Sequence, residues 1–396
     1  MQIQLKNTPE QIELIKAMGS SKQSVAREAT EAIAAFLAPV LKKVLMTAGT
    51  ASTIYRDMEY DEDSDPSIPL DLFYNEGTGY VSIWSQSQAG GLPTSQVSGM
   101  AEIKIGTYRL DSAVSFNKKY ARKSRLDVVS KAIERMVNEV LVKQERNAWA
   151  VVLKSLAEAY TPILGPGQSS TSTYGHTIAA TNAGQFLLAD LNNLILRIKR
   201  INESYSANTP VQPYSHGITD LYVAPEIKAM VRAFAYNPIN TTSSDSTAIG
   251  GIRGQFLSEN LRDEIFRNAG MQSIYGVNLV ELVEFGNSQK YNVLFNQFAA
   301  SSNAATQVQG SSTYSATGSA SWTSSTTQQI AVGIDNTRGA FVRPVAVQAE
   351  SGGTFSVLPD GQFDMYGSRV QKVGFYGFLE EGRVCLDARS VVGIVI

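Results

Sequence analysis

One long stretch of sequence, Ser124 to Tyr160, reads SRLDVVSKAIERMVNEVLVKQERNAWAVVLKSLAEAY. The rest of the chain is interpreted from this stretch outward. Ser124 followed by Asp127 is typical of a helix start, because the serine caps a backbone N–H and the carboxylate lies at the positive end of the helix dipole. Apolar residues then recur at helical spacing, interrupted once by Gln144. At 1.5 Å per residue the pattern predicts one helix about 54 Å long, which indicates a structural spine.

The residues before this helix predict a strand-rich extension. From Ser52 to Asn117 polar and apolar residues alternate, as in Tyr80 to Trp84 and in Ile103 to Thr107, which is the period of a β-strand. Glycine and proline turn signals lie between these runs. No helix is predicted to cover either face, and a two-stranded ribbon without a neighbour is marginally stable in water. We therefore expect the extension to pack against another copy of the chain.

Residues 1–51 predict a helical N-terminal arm. Thr8 and Pro9 form an N-cap followed by a proline at the first helical position, with Gln11 placed to complete a capping box. Apolar residues from Val25 to Val44 form one helical stripe, in which Pro39 predicts a kink.

After the long helix, helices and strands alternate, so the predicted fold class is α+β. A polar loop is predicted at 168–183 and a helix at 186–205. The later predictions are a strand at 220–224, a helix at 225–235, a loop at 237–251, a helix at 258–268 and strands at 277–285 and 291–298. Residues 299–327 are almost wholly Ser, Thr, Ala, Gly and Gln and predict an exposed loop. Short strands return from residue 328 onward.

Composition excludes several classes of protein. The chain has 396 residues, 43% hydrophobic and 18% charged, so it is expected to fold. Its formal charge of -2 gives no overall attraction to nucleic acid or to an anionic membrane. The apolar runs fall short of the ~20 residues that span a bilayer, and the N-terminus lacks a secretory pattern, so neither a membrane partner nor export is predicted. The single cysteine, Cys385, excludes an intrachain disulfide and is expected to be a buried thiol.

The candidate metal ligands do not form a standard site. Asp61, Asp63 and Asp65 have the spacing with which calcium loops begin, but Pro66 and Leu72 occupy the positions that require glycine and glutamate. The two histidines, His176 and His216, fall in separate polar loops of the predicted fold. No metal site is therefore predicted.

The motif search predicts no catalytic residue and no cofactor. The sequence contains neither a phosphate-binding Gly-x-x-x-x-Gly-Lys-Ser/Thr loop nor a Gly-x-Ser-x-Gly nucleophile elbow. Adjacent carboxylates such as Glu380 and Glu381 point to opposite sides of a strand and do not form a catalytic pair.

One basic cluster precedes and opens the long helix. It consists of Lys118, Lys119, Arg122, Lys123 and Arg125. Three interpretations stay open: the cluster holds DNA phosphates, it is a solvated face, or it is a partner for the acidic stretch Asp57 to Asp65.

The order of these elements resembles the major capsid proteins of tailed bacteriophages with the HK97-type fold. The resemblance covers nearly the whole chain. Three segments support the resemblance locally. Leu221 to Pro225 is similar to the strand entering the family's axial domain. Val373 to Phe378 and Cys385 to Ile394 are similar to the family's closing strands.

This resemblance implies a domain order for the chain. Residues 1–51 would be the N-terminal arm, 52–117 the extended loop over an adjacent subunit, 118–215 the peripheral domain with its spine helix at 124–160, 216–335 the axial domain, and 336–396 the return strands that complete the peripheral domain.

It also implies function and partners. The chain would assemble with itself as hexamers and pentamers into an icosahedral virion shell around double-stranded DNA, made in the bacterial host cytoplasm, with portal, scaffolding and decoration proteins as further partners. Aromatic and apolar side chains of the loop are the predicted subunit contacts, together with four carboxylates that fix register: Phe73, Tyr80, Ile83, Trp84, Asp57, Asp61, Asp63 and Asp65.

Three other functions stay open. An encapsulin, a compartment shell of the same fold, would package an enzyme instead of DNA. A β-rich tail or surface adhesin would form a trimer or fibre, as the Ser/Thr-rich insertion suggests. An uncharacterised hydrolase would depend on His176 or His216.

Overall fold

The structure is a computed structural model that describes residues 8–22, 24–35, 49–69, 102–123, 126–162, 173–181, 184–203, 217–236, 273–301, 309–310, 329–347, 356–360 and 372–396. The predicted α+β class is confirmed, because long helices and multistranded sheets are both present. The chain divides into two compact units. The described parts of unit 1 lie in Met1–Leu70, Met100–Ala148 and Phe341–Val384, and those of unit 2 in Trp149–Ala340 and Cys385–Ile396.

The helices, in chain order, are α1 (Pro9–Met18), α2 (Ala51–Ile54), α3 (Lys118–Arg122), α4 (Leu126–Glu158), α5 (Leu188–Glu203), α6 (Pro225–Tyr236) and α7 (Lys290–Ser301), and residues 24–35 are also helical. The strands are β1 (Arg56–Asp61), β2 (Ser67–Pro69), β3 (Glu102–Lys104), β4 (Thr107–Asn117), β5 (Tyr160–Pro162), β6 (Thr173–Gly175), β7 (Thr177–Ala179), β8 (Asp220–Val223), β9 (Ser273–Ile274), β10 (Val277–Glu281), β11 (Gln309–Gly310), β12 (Ile330–Ile334), β13 (Phe341–Val347), β14 (Ser356–Asp360), β15 (Lys372–Gly382), β16 (Val384–Cys385) and β17 (Val391–Val395).

The predicted long helix is present as α4, which has 33 residues. At 1.5 Å per residue it is about 50 Å long. It ends at Glu158, shortly before the predicted Tyr160, which begins β5. The predicted cap, Ser124, lies outside the described residues. Helix α4 contributes its first part to unit 1 and its last part, from Trp149, to unit 2.

Unit 1 is built on a six-stranded sheet in the order β1-β13-β15-β14, with β4 pairing β15 and β16 pairing β13. Strands β4 and β15 pair antiparallel over their whole length, from Thr107 opposite Gly382 to Asn117 opposite Lys372. Apolar side chains from the inner face of these strands, from α4 and from α1 form one core. Its most deeply buried members include Met18, Ala121, Val129, Ile133, Val373 and Phe375. Burial of this apolar surface is the main source of stability for the unit.

The N-terminal arm agrees with the sequence only in part. Thr8 accepts a hydrogen bond from the backbone N–H of Gln11, as predicted for an N-cap, but the Oε1 of Gln11 is buried without a partner, so the predicted capping box is not closed. In the helical residues 24–35, Ala29 and Ile33 are buried whereas Val25 is 38% exposed, so the stripe begins later than predicted. Pro39 and its predicted kink lie outside the described residues.

The predicted extension consists of several different elements. Its ends, β1 and β4, belong to the six-stranded sheet. Between them β2 and β3 form a two-stranded antiparallel ribbon with Ile68 opposite Ile103 and Pro69 opposite Glu102. Among the described residues, this ribbon pairs with no further strand. The contact candidates Phe73, Tyr80, Ile83 and Trp84 lie outside the described residues.

Unit 2 is built on a seven-stranded sheet in the order β11-β7-β17-β12-β8-β10-β9. The predicted strand at 220–224 is β8, whose Leu221, Tyr222 and Val223 are fully buried, and the predicted helix after it is α6. β17 lies between β7 and β12 in this sheet. Within the segment 336–396, residues 341–384 belong to unit 1, whereas residues 336–340 and 385–396 belong to unit 2.

Three sequence predictions in unit 2 are wrong. Residues 291–298 are not a strand but part of α7, where Tyr291, Phe295 and Ala299 are buried at helical spacing and Val293 is 43% exposed. The predicted loop at 168–183 contains the short strands β6 and β7. The predicted loop at 299–327 contributes the end of α7 and the strand β11, which pairs with β7. The predictions for 237–251 and 258–268 lie outside the described residues.

Candidate assembly surfaces

The outer face of the unit 1 sheet exposes aromatic and charged side chains together. Because directly opposed residues share a face, the register places Asp111 beside Phe378 and Leu358 beside Tyr376. We call this patch the aromatic sheet face; its members are Arg109, Asp111, Leu358, Tyr376 and Phe378. Leu358 is 49% exposed, which is high for a large apolar side chain in a sheet.

Hydrogen bonds hold the charged part of the aromatic sheet face in one arrangement. Arg109 Nε donates to Asp111 Oδ1 at 2.7 Å, Tyr376 Oη donates to the same oxygen at 2.7 Å, and Arg109 Nη2 donates to Tyr376 Oη at 2.6 Å. The bonds from Tyr376 and Arg109 lower the pKa of Asp111. The guanidinium also lies 4.2 Å from the ring centre of Phe378. Aromatic residues with a fixed arginine are typical of the centres of protein interfaces.

An acidic turn follows β1. We use this name for Asp61, Glu62, Asp63 and Asp65, all of which are exposed. The backbone N–H of Ser64 donates to the Asp61 carbonyl at 2.9 Å, which closes the turn, and Asp65 lies 3.7 Å from the ammonium of Lys104. Because both partners of this ion pair are largely solvent-exposed, it stabilises the fold little.

The sequence predicts Asp57 as a subunit contact, together with residues of the acidic turn. In the structure, Asp57 has a partner within its own unit. It lies directly opposite Arg343 in the parallel β1–β13 pair, and the guanidinium donates to both carboxylate oxygens, at 2.6 and 2.7 Å. The Arg343 side chain is 4% exposed, so Asp57 balances a buried charge inside unit 1. Asp57 itself is exposed, so its role as a subunit contact stays a prediction.

The predicted basic cluster lies on and beside the short helix α3. Asn117 caps this helix by accepting from the backbone N–H of Lys119. Lys119, Arg122 and Lys123 are exposed, and Lys118 is partly buried. Arg122 Nε donates to the Gly19 carbonyl at 2.8 Å, just beyond the end of α1, so this side chain also joins two helices. Arg125 lies outside the described residues.

A buried polar network joins the long helix to the sheet of unit 1. Glu381 is fully buried and accepts from Tyr108 at 2.8 Å, from Gln144 at 3.1 Å and from Arg383 at 3.3 Å. The Arg383 guanidinium lies 4.9 Å from the ring centre of Tyr55. Sequence analysis missed this network, although the break in the apolar stripe at Gln144 was its signal.

No protein-family model matches the chain, and no curated protein does. Solved structures do match. One is the capsid of a native GTA particle, at 11% identity and a TM-score of 0.46 over 88% of this chain and 91% of that chain. Another is the capsid of the cyanophage P-SCSP1u, at 13% identity and a TM-score of 0.43 over 86% of each chain. A third is the holo-SrpI encapsulin complex from Synechococcus elongatus PCC 7942, at 11% identity and a TM-score of 0.37 over 75% of this chain and 76% of that chain. The mature capsid of bacteriophage PhiM1 also matches, so phage capsids are among the matched structures.

The described residues contain no group of three or more His, Cys, Asp or Glu side chains that could hold a metal ion. None of the described helices has the length and apolar character needed to cross a membrane.

Cys385 lies in β16, and burial raises the pKa of its thiol to about 12, so the thiol is unreactive.

The sequence predicts His176 in a polar loop, but the structure places it in the core of unit 2. It connects β6 and β7, is 1% exposed, and its Nδ1 lies 3.0 Å from the Val391 carbonyl of β17. Burial lowers the pKa of its imidazole to about 4. His216 lies outside the described residues.

The buried imidazole predicts acid sensitivity of unit 2. Below its ordinary pKa of about 6.5 the unfolded imidazole binds a proton, whereas the folded one, with a pKa of about 4, does not. The unfolded state then binds more protons, so the free energy of unfolding falls as the pH drops from about 6.5 to about 4, by up to about 3 kcal/mol. Urea denaturation at a series of pH values measures this slope. His176→Gln should remove it and His216→Gln should retain it; an unchanged slope in His176→Gln would contradict the assignment.

Proposed function

We propose that the chain is a major capsid protein, copies of which assemble into the icosahedral shell around the double-stranded DNA of a tailed bacteriophage. The observation that carries this proposal is the β2–β3 ribbon, which leaves the unit 1 sheet and pairs with no further strand among the described residues. A two-stranded ribbon is marginally stable by itself, so it needs a surface to lie on. In a homo-oligomer a neighbouring copy provides that surface.

The exposed patches of unit 1 support the same proposal. The aromatic sheet face, the acidic turn and the basic helix α3 are separate surfaces of one unit, so a subunit offers several contacts at once. Each contact is weak, but many identical contacts add through avidity and closure of the shell. The energy of assembly is then spread over interfaces, and the chain has a structural role without catalysis.

The partners follow from this role. Copies of the chain form hexamers and pentamers, with Phe73, Tyr80, Ile83 and Trp84 as apolar contacts of the extended loop. Packaged DNA meets the shell through non-specific contacts, because the net charge of -2 offers no overall attraction. Portal, scaffolding and decoration proteins complete a virion that is made in the cytoplasm of the bacterial host.

Electron microscopy of the expressed protein tests the proposal, and closed angular shells are the expected result.

A matched variant replaces residues 70–101 by a short Gly/Ser turn. This change is compatible with the ribbon because Pro69 and Glu102 are directly paired, so a tight turn can join them. We expect the variant to fold and to remain unassembled, because it retains the sheet and the core while losing the loop.

Three outcomes would overturn the proposal. Monomers or trimers of the full chain under all assembly conditions contradict a shell. Shells formed equally well by the shortened variant contradict the role of residues 70–101 in assembly. Shells isolated from the native host that contain a protein cargo and no nuclease-protected DNA identify an encapsulin instead.

A further inference from the structure

Two exposed patches of unit 1 carry opposite charge. The acidic turn presents four carboxylates, and the stretch 116–123 presents Lys118, Lys119, Arg122 and Lys123 without a single carboxylate among them. We call the second patch the basic helix face. The Asp65–Lys104 pair is long and solvent-exposed, and Arg122 donates to a neutral carbonyl, so these contacts leave most of both charges unbalanced.

The two patches lie at opposite ends of one strand. At the start of β4, the Ile105 backbone N–H donates to the Pro66 carbonyl at 2.9 Å, which places the acidic turn beside that end. At the other end, Asn117 is the last residue of β4 and the cap of α3. An 11-residue strand is roughly 35 Å long at about 3.3 Å per residue. The Debye length in physiological salt is about 8 Å, so the patches of one copy do not neutralise each other.

The basic helix face also contains an aromatic side chain that the fold leaves exposed. Tyr120 is 43% exposed, whereas the next residue, Ala121, is fully buried against the core. One side of α3 is thus packed and the other, with Tyr120 between lysines, faces solvent. Tyrosine and arginine are enriched among the residues that dominate binding energy at protein interfaces. This exposure indicates a protein-binding surface more than a solvated charged face.

From this geometry we propose that the acidic turn of one copy binds the basic helix face of a second copy. Complementary patches at different places on one chain give a heterologous, head-to-tail contact, which closes into a ring when the rotation between copies allows it. Opposite charge also fixes the register of the contact and speeds the encounter of the copies. The inference rests on the proposed shell function and names one contact through which neighbouring subunits join.

Charge reversal tests this contact. One variant carries Asp61→Lys and Asp63→Lys, a second carries Lys119→Glu and Lys123→Glu, and a third carries all four changes. The four side chains are exposed, and Asn117 and Arg122 are left intact, so the fold of unit 1 is retained. Each two-site variant should lose at least ten-fold in shell yield, measured by sedimentation and electron microscopy. The four-site variant should recover the yield, because the exchanged charges attract again.

The controls separate this inference from the proposed function. Glu28→Lys with Glu139→Lys makes the same change in net charge as Asp61→Lys with Asp63→Lys, but at exposed helical positions outside both patches, and should assemble normally. Shells from the wild type together with full assembly of both two-site variants would overturn the contact and leave the shell function standing. Failure of the wild type to form shells would overturn the proposed function itself. If Lys119→Glu with Lys123→Glu gives normal shells that hold less DNA, the basic helix face binds DNA and the contact between copies is refuted.

Discussion

Replacing Arg383 by methionine is expected to lower the free energy of unfolding of unit 1 by about 3 to 5 kcal/mol. The Arg383 side chain is 2% exposed and lies 3.3 Å from Glu381, which is fully buried. Without the guanidinium, Glu381 becomes a buried carboxylate that keeps only the neutral donors Tyr108 and Gln144. Urea denaturation followed by circular dichroism measures the loss.

Two further variants identify the cause of this loss. Glu381→Leu combined with Arg383→Met removes both charges, so it should recover most of the stability, because a buried ion pair can be replaced by apolar residues at little cost. Arg109→Met removes an arginine from the exposed aromatic sheet face and should cost at most about 1 kcal/mol. A double variant no more stable than Arg383→Met would show that packing, and not the unpaired charge, causes the loss.

Replacing Trp149 by alanine should destabilise unit 2 by about 3 to 5 kcal/mol, the cost typical of removing a large aromatic side chain from a core. Trp149 is fully buried, and its ring centre lies 4.9 Å from that of Tyr222, 5.1 Å from that of Phe285 and 5.8 Å from that of Tyr291. The substitution removes all three ring contacts and leaves a cavity. Thermal denaturation measured by calorimetry gives the change in stability.

The matched controls lie at the same place and on the same helix. Trp149→Phe keeps an aromatic ring in the cluster and should cost less than half as much as alanine. Val142→Ala changes an α4 side chain that is 43% exposed and should alter stability by no more than about 0.5 kcal/mol. A loss of less than about 1 kcal/mol in Trp149→Ala would mean that the aromatic cluster is not a stabilising core.

Elements with a strong local pattern were predictable from the sequence. The N-cap at Thr8, the long helix α4 and the helix α6 that opens at Pro225 each depend on residues within a few positions of one another. A helix of several turns repeats its apolar positions often enough to be recognised. The prediction for 291–298 failed for the opposite reason. Tyr291, Val293 and Phe295 alternate as in a strand, whereas Tyr291 and Phe295 alone also fit one face of a helix, and so few residues do not decide between the two.

The candidate surfaces required the tertiary structure. The sequence identified Asp57 and the basic residues as charged, but only the β1–β13 register shows that Asp57 is bound by Arg343, 286 positions along the chain. Likewise, only the position of β4 in the structure shows that the acidic turn and the basic helix face lie at opposite ends of one strand.

The sequence by itself therefore determined the α+β class, the long helix and the charge of each patch, because these depend on composition and on short-range periodicity. The tertiary structure alone decided that His176 is buried, that Gln144 belongs to a network around Glu381, and that β17 joins the sheet of unit 2. The physical reason is that strand pairing and charge burial join residues far apart in the chain. No local pattern of side chains specifies which distant partner a strand or a buried charge will meet.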